Sequence, residues 1–211
     1  MERRMYGLEK NLNIEEPFKS NLCNIMDLLL EVFPEYDYEY FEAILAILRI
    51  KKDSIEGYSS FNPDTTTLNL NTEKISEDGL DLQHLFLKNL LSIGTHKEEK
   101  NPDKKGFYDG MSEAMVTLLV GDEGFKKQSL LEYLSIMQLS KIVDAKVLID
   151  AYMTDDLSLI AENLGSYGIE EQEFSELITE ISEIGKHPTK PNDFFSLSQK
   201  RMMYMFGKKI T

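Results

Sequence analysis

The spacing of apolar residues changes period near Ile55 and changes back before Asp78. Those two switches restrict the chain to helices interrupted by one short β element. Ahead of the first switch, Leu22, Ile25, Met26, Leu29, Val32 and Phe33 recur at helical spacing and Pro34 ends the run. A second helix is expected from Tyr38 to Ile50, with Phe41, Ile44, Leu45 and Leu48 on one face. Between the switches, Ile55-Glu-Gly-Tyr-Ser-Ser-Phe61 leads through Asn62-Pro-Asp-Thr65 into the alternating Thr66-Thr-Leu-Asn-Leu-Asn71. Turn chemistry between two strand-like runs predicts a β-hairpin.

From Asp78 onward helical spacing returns, over Leu80 to Leu91, Met111 to Val120, Lys126 to Leu139, Ile142 to Tyr152, Leu157 to Leu164 and Glu170 to Ile184. Phe174, Leu177, Ile178, Ile181 and Ile184 form an apolar stripe on the last of these. The prolines of Lys186-His-Pro-Thr-Lys-Pro-Asn192 oppose regular structure, and a final helix is expected from Asp193 to Phe206. The fold class read from this pattern is mainly α, of the α+β kind. One domain is expected over 1–211: a helical pair (1–53), the hairpin (54–72), two further helices (78–121) and a C-terminal helical bundle (126–206).

At 211 residues and 42% apolar content the chain can bury a substantial core. Its longest apolar stretches fall far short of the roughly 18 residues a membrane helix needs. The start, Met1-Glu-Arg-Arg-Met-Tyr-Gly7, lacks the apolar centre of a secretory signal, so a cytoplasmic protein is expected. Cys23 is the only cysteine, which excludes an internal disulfide and a thiolate cluster. Its neighbours Leu22, Ile25 and Met26 mark it as a core thiol.

The net charge is −14, with 16 acidic and 5 basic side chains in 106–187 and 1 acidic and 5 basic in 188–211. Such a chain repels nucleic-acid phosphate, so no direct nucleic-acid binding is expected, and a partner with basic character suits it better.

The stretch Asp81-Leu-Gln-His-Leu-Phe-Leu-Lys-Asn-Leu-Leu-Ser92 is followed, after a Lys-rich connector, by Gly110-Met-Ser-Glu-Ala-Met-Val-Thr-Leu-Leu119. In order and spacing the two stretches resemble a zincin-like family of low-GC Gram-positive bacteria and their mobile elements. That family pairs a His-Glu-x-x-His helix with an Asn-Glu-Gly helix about 25 to 30 residues later, whose glutamate is the third zinc ligand. The motif needs its histidines at i and i+4 so that both imidazoles reach one ion, and its glutamate to activate the bound water. Here the motif is degenerate, and two registers fit. If His84 matches the first histidine, Leu85 takes the place of the base and Lys88 that of the second histidine. If Ser92 is aligned with the serine that often follows the family's motif, Leu85, Phe86 and Asn89 take the three places and His84 lies just outside. Either register removes the base and at least one ligand, because neither Leu nor Phe accepts a proton and an ammonium offers no electron pair.

The resemblance therefore implies a zincin-like helical domain that has lost its metal: no cofactor, no bound zinc and no peptidase activity, with His84, Lys88 and Glu113 as the vestigial site. Lys88 could pair with a buried Glu113 where zinc once sat, or the three could be ordinary residues of two helices. Elsewhere, Ser112, His96 and His187 lack the neighbours of a catalytic constellation, and no phosphate-binding glycine loop is present. The segment Arg201-Met-Met-Tyr-Met-Phe-Gly-Lys-Lys209 reads as a core helix with a basic end. The expected function is binding of a protein partner by a catalytically inactive chain in a bacterium or phage. An acidic inhibitor of a nucleic-acid-binding or defence protein is the first alternative, and an active zinc metallohydrolase using further carboxylates the second. No membrane partner is expected, and the oligomeric state is left open.

Overall fold

The computed structural model describes residues 7–8, 11–95, 102–121, 127, 129–187 and 189–210. Helix dominates, with ten α-helices and one three-stranded sheet among the described residues. None of these helices is long and apolar enough to cross a membrane. The chain divides into two compact units, Met1–Gly94 with Asp122–Lys126, and Thr95–Gly121 with Lys127–Thr211.

The first unit holds helices α1 (Phe18–Val32) and α2 (Glu39–Ile47), strands β1 (Arg49–Lys52), β2 (Ser59–Asn62) and β3 (Thr67–Leu70), and helices α3 (Thr72–Glu77) and α4 (Leu82–Thr95). The apolar stripe of α1, Leu22, Ile25, Met26 and Leu29, is fully buried, and Cys23 lies beside it at 1% exposure, as the spacing required. Phe18 of α1 meets Phe86 of α4 edge to face at 5.7 Å, and Leu68 and Leu70 of β3 complete this core. Burying one such aliphatic or aromatic side chain stabilises by about 1.5–3 kcal/mol.

The hairpin forms as the sequence indicates, with β2 antiparallel to β3 in the register Ser59↔Leu70 to Asn62↔Thr67. A third strand was not foreseen. The helix expected over Tyr38 to Ile50 stops at Ile47, and Arg49–Lys52 runs parallel to β3, giving the order β1-β3-β2. The cause lies outside the segment. The Asn11 side-chain amide, 1% exposed, donates to the carbonyls of Leu45 and Leu48, each at 2.8 Å. Those acceptors are thereby satisfied without another helical turn, and Leu48 is free to turn extended at ψ 136°. Asn71 ends β3 and starts α3, its side chain accepting from the Lys74 N–H at 3.0 Å.

The second unit holds α5 (Lys105–Val120), α6 (Leu130–Leu139), α7 (Ala145–Thr154), α8 (Ser158–Gly165), α9 (Glu171–Lys186) and α10 (Pro191–Ile210), with a 3-10 turn at Pro102–Lys104 ahead of α5. The helix expected from Lys126 begins instead at Leu130, and residues 122–126 and 128 lie outside the described set, as does His96. The final helix is longer than expected, because Pro191 does not interrupt it but opens it, at a position where a missing N–H costs nothing.

Two glycines let α5 lie close against its neighbours. A Cβ at Gly106 would stand 2.9 Å from the Ser182 Cα of α9, and one at Gly110 would stand 2.7 Å from the Glu132 carbonyl carbon of α6. Phe107, fully buried, then packs edge to face on Phe174 of α9 at 6.1 Å. Polar links tie α10 on. Arg201 reaches Glu176 and Glu180, each at 2.7 Å, Lys208 reaches Glu173 at 2.9 Å, and the Ser135 and Ser198 hydroxyls lie 3.3 Å apart.

Candidate functional site

Helix α4 is started by Asp81, whose carboxylate accepts from the N–H groups of Gln83 at 2.6 Å and His84 at 3.4 Å. His84 thus sits in the first turn, 6% exposed, with Nδ1 3.7 Å from the same Asp81 carboxylate. The next two residues are also buried, Leu85 at 4% exposure and Phe86 fully. Asn89 faces β2, its amide donating to the Ser59 hydroxyl at 2.9 Å and to the Leu85 carbonyl at 2.7 Å. Lys88 is half-buried on the same helix.

Of the three residues singled out from the sequence, His84 and Lys88 therefore share one helix of the first unit, while Glu113 is carried by α5 in the second. Glu113 is fully buried, and its carboxylate accepts from the Ser129 N–H at 2.9 Å, at the start of α6. A helix N-terminus concentrates partial positive charge, so the carboxylate has a structural task there that needs no metal.

The second unit also contains a carboxyl that sequence reasoning passed over. Glu132 of α6 is 7% exposed and packed between glycines, since Gly110 admits its backbone and a Cβ at Gly185 would stand 2.9 Å from its Oε1. Burial raises its proton affinity above that of an ordinary carboxylate, and the charges of Asp109 and Glu113 add to the effect. A signal was present in the sequence. Glycine inside a helix costs about 1 kcal/mol relative to alanine, so glycines spaced along helices point to close packing.

The remaining candidates are held by ordinary contacts. Ser112 is buried at 5% exposure, while His187 is exposed, stacks on Phe194 at 4.9 Å and lies 2.9 Å from Glu183. Tyr108 donates to Asp155 at 2.9 Å, and burial together with that bond raises its phenol far above its usual value. A small recess in the second unit is lined by Met111, Met115, Leu118, Ile136, Met137 and Leu148, and it offers no charged group.

Zinc makes a clear demand on such an arrangement: three protein ligands of suitable type around an open position, with a base nearby. Among the described residues no group of three His, Cys, Asp or Glu side chains is placed to hold a metal ion. The base position is a buried hydrocarbon in either register, Leu85 or Phe86. These residues do not fit a zincin metal centre. Comparison with family models, with curated proteins and with solved structures matches the chain to none of them.

Proposed function

We propose that this chain is a metal-free, zincin-like protein of a bacterium or phage that acts by binding a protein partner and not by hydrolysis. The observation that carries the reading is the burial of Leu85 and Phe86. The side chain that would have to take a proton from water is part of the apolar core of the first unit whichever register is adopted, so restoring a base would mean placing a charge in that core. Glu113 supports the same reading, because its carboxylate anchors the start of α6. The strand pair β2–β3, the His84 helix and the Glu113 helix follow one another in the zincin-like order. The alternative of an acidic inhibitor that occupies a basic groove draws less support. The α9 carboxylates Glu173, Glu176, Glu180 and Glu183 are taken up by Lys208, Arg201 and Lys186 within the chain, which leaves a weaker outward field.

The test is elemental analysis of protein purified without chelator or metal-affinity resin, alongside Glu113→Gln. The expected result is zinc well below one equivalent in both proteins. About one zinc per chain in the parent and none in the variant would overturn the proposal.

A further inference from the structure

Among the described residues, the sheet of the first unit ends in a strand of basic character. Strand β1 is terminal in the order β1-β3-β2, and its sequence is Arg49-Ile-Lys-Lys52 in a chain whose net charge is −14. Arg49, Lys51 and Lys52 are all exposed. The acidic Asp53 that follows turns its carboxylate to the Ser54 N–H at 2.9 Å, and the edge remains net positive. Among the described residues neither Arg49 nor Lys51 has an ion-pair partner.

Backbone geometry fixes which groups this edge presents. The Arg49 N–H donates to the Thr66 carbonyl and the Asp53 N–H to the Leu70 carbonyl, both at 2.9 Å. With the parallel register Arg49↔Thr67 through Lys52↔Leu70, residues 49, 51 and 53 turn their amides toward β3. The N–H and C=O groups of Ile50 and Lys52 therefore point away from β3, and among the described residues no strand pairs with them.

Side-chain alternation then sorts the surface on either side of that edge. Ile50 and Lys52 share a face with Leu68 and Leu70, and the Lys52 ammonium lies 5.8 Å from the centre of the Phe18 ring, so this face is the one packed on the helices. Arg49 and Lys51, both exposed, share the opposite face with the half-buried Asn69, whose amide lies 3.4 Å from the Ser60 hydroxyl, and with Thr67, which is buried at 3% exposure.

We infer that β1 is a docking edge for an extended, acidic segment of a partner protein, added to the sheet as a fourth strand. Main-chain hydrogen bonds to Ile50 and Lys52 would hold it. Its carboxylates, at alternate positions, would meet the exposed Arg49 and Lys51, and the apolar residues between them would meet Ile50 and the Lys52 stem. A second copy of this edge is the wrong occupant, because pairing β1 with itself sets cation against cation. The inference deepens the protein-binding reading and rests on it, but it is independent of the loss of zinc. Zinc found in the chain would sink the metal-free reading alone, and failed peptide binding would sink this inference alone.

The test is fluorescence anisotropy of the full chain with a labelled peptide of about eight residues alternating Glu and Val, long enough to span the edge. Three controls accompany it: an alternating Lys and Val peptide, a Glu-Glu-Val-Val peptide of equal composition, and protein variants. Saturable binding of the Glu-Val peptide is expected, weakened as salt is raised from about 0.05 to about 0.5 M, with far weaker binding of both control peptides. The double variant Arg49→Glu, Lys51→Glu, at two exposed positions, should lose roughly tenfold or more in affinity. Ile50→Pro removes an outward N–H at an edge, where proline is tolerated, and should abolish binding while the circular dichroism spectrum is retained. No saturable binding of the Glu-Val peptide would overturn the inference. Equal binding of the two acidic peptides, or Ile50→Pro binding like the parent, would reduce the effect to simple charge attraction and overturn it as well.

Discussion

Substituting Gly110 by alanine sets two effects of opposite sign against each other, and the structure decides which wins. On propensity alone, alanine inside α5 should stabilise the helix by about 1 kcal/mol. The new methyl carbon would stand 2.7 Å from the Glu132 carbonyl carbon, 2.8 Å from its oxygen and 3.0 Å from its Cβ. Two of these three are backbone atoms of a packed helix, so relief requires moving α6 away from α5 and not merely rotating a side chain. Overpacking of that kind costs about 1–3 kcal/mol, and a rigid neighbour places it in the upper half of that range, so the net change should be a loss of about 1–2 kcal/mol. Gly207→Ala on α10 is the matched control, because nothing lies within 4 Å of a Cβ there and the full propensity gain should appear. Urea unfolding followed at 222 nm measures both, and thermal unfolding should shift by about 2–4 °C per kcal/mol for a chain of this size. Opposite signs are expected, Gly110→Ala less stable than the parent and Gly207→Ala more stable. If both variants gain stability, the close α5–α6 approach is wrong.

Glu132→Gln tests the buried carboxyl of the same contact. Burial, aided by the charges of Asp109 and Glu113, holds the folded-state proton affinity above the unfolded value. The stability this group contributes is therefore complete below the unfolded pKa and is lost as pH rises through the folded one. The amide carries no charge to desolvate, so Glu132→Gln should be more stable than the parent at neutral pH, with the gap closing as pH falls from the raised folded value to the ordinary carboxylate range and constant below it. A gap independent of pH in urea titrations between about pH 4 and pH 8 would refute the assignment. Asn11→Ala removes both donors from the Leu45 and Leu48 carbonyls and an acceptor 2.9 Å from the Asn13 N–H. Two buried carbonyls left without partners should cost about 2–4 kcal/mol, and β1 amides should exchange with solvent faster than those of β3. A cost below about 0.5 kcal/mol would mean that the α2–β1 boundary is set by something other than Asn11.

Where sequence and structure part company at β1, the cause is a partner distant along the chain. The β2–β3 hairpin was legible because its information is local: alternation on both sides of a turn whose residues favour the bend. Helix α9 was legible for the same reason, with an apolar stripe unbroken from Phe174 to Ile184. Strand β1 was not. Arg-Ile-Lys-Lys has two lysines, which strands disfavour, and it continues the helical spacing of Phe41, Leu45 and Leu48 without a break. The helix ends there because of a side chain 34 residues before Leu45, which no window-based reading of 38–52 could include. Pro191 shows a different failure: the residue was noticed, but proline both stops a helix and begins one, and the position relative to the following run decides between them.

The candidate site divides along the same line. That neither Leu85 nor Phe86 can take a proton could be read from residue types alone. What Glu113 does instead could not, because its partner is the Ser129 N–H across a helix connection. The role of Glu132 depends on two glycines, Gly110 and Gly185, that lie in different helices. The basic edge of β1 combines both situations. Its cations are plain in the sequence, but what they border is known only once Arg49 and Asp53 are seen to give their amides to β3, which leaves those of Ile50 and Lys52 facing outward. A run of lysines on a helix would be an ordinary solvated face. On an open strand the same charges guard a row of unpaired backbone groups against other edges, and they do so selectively, because they repel a cationic strand and attract an anionic one.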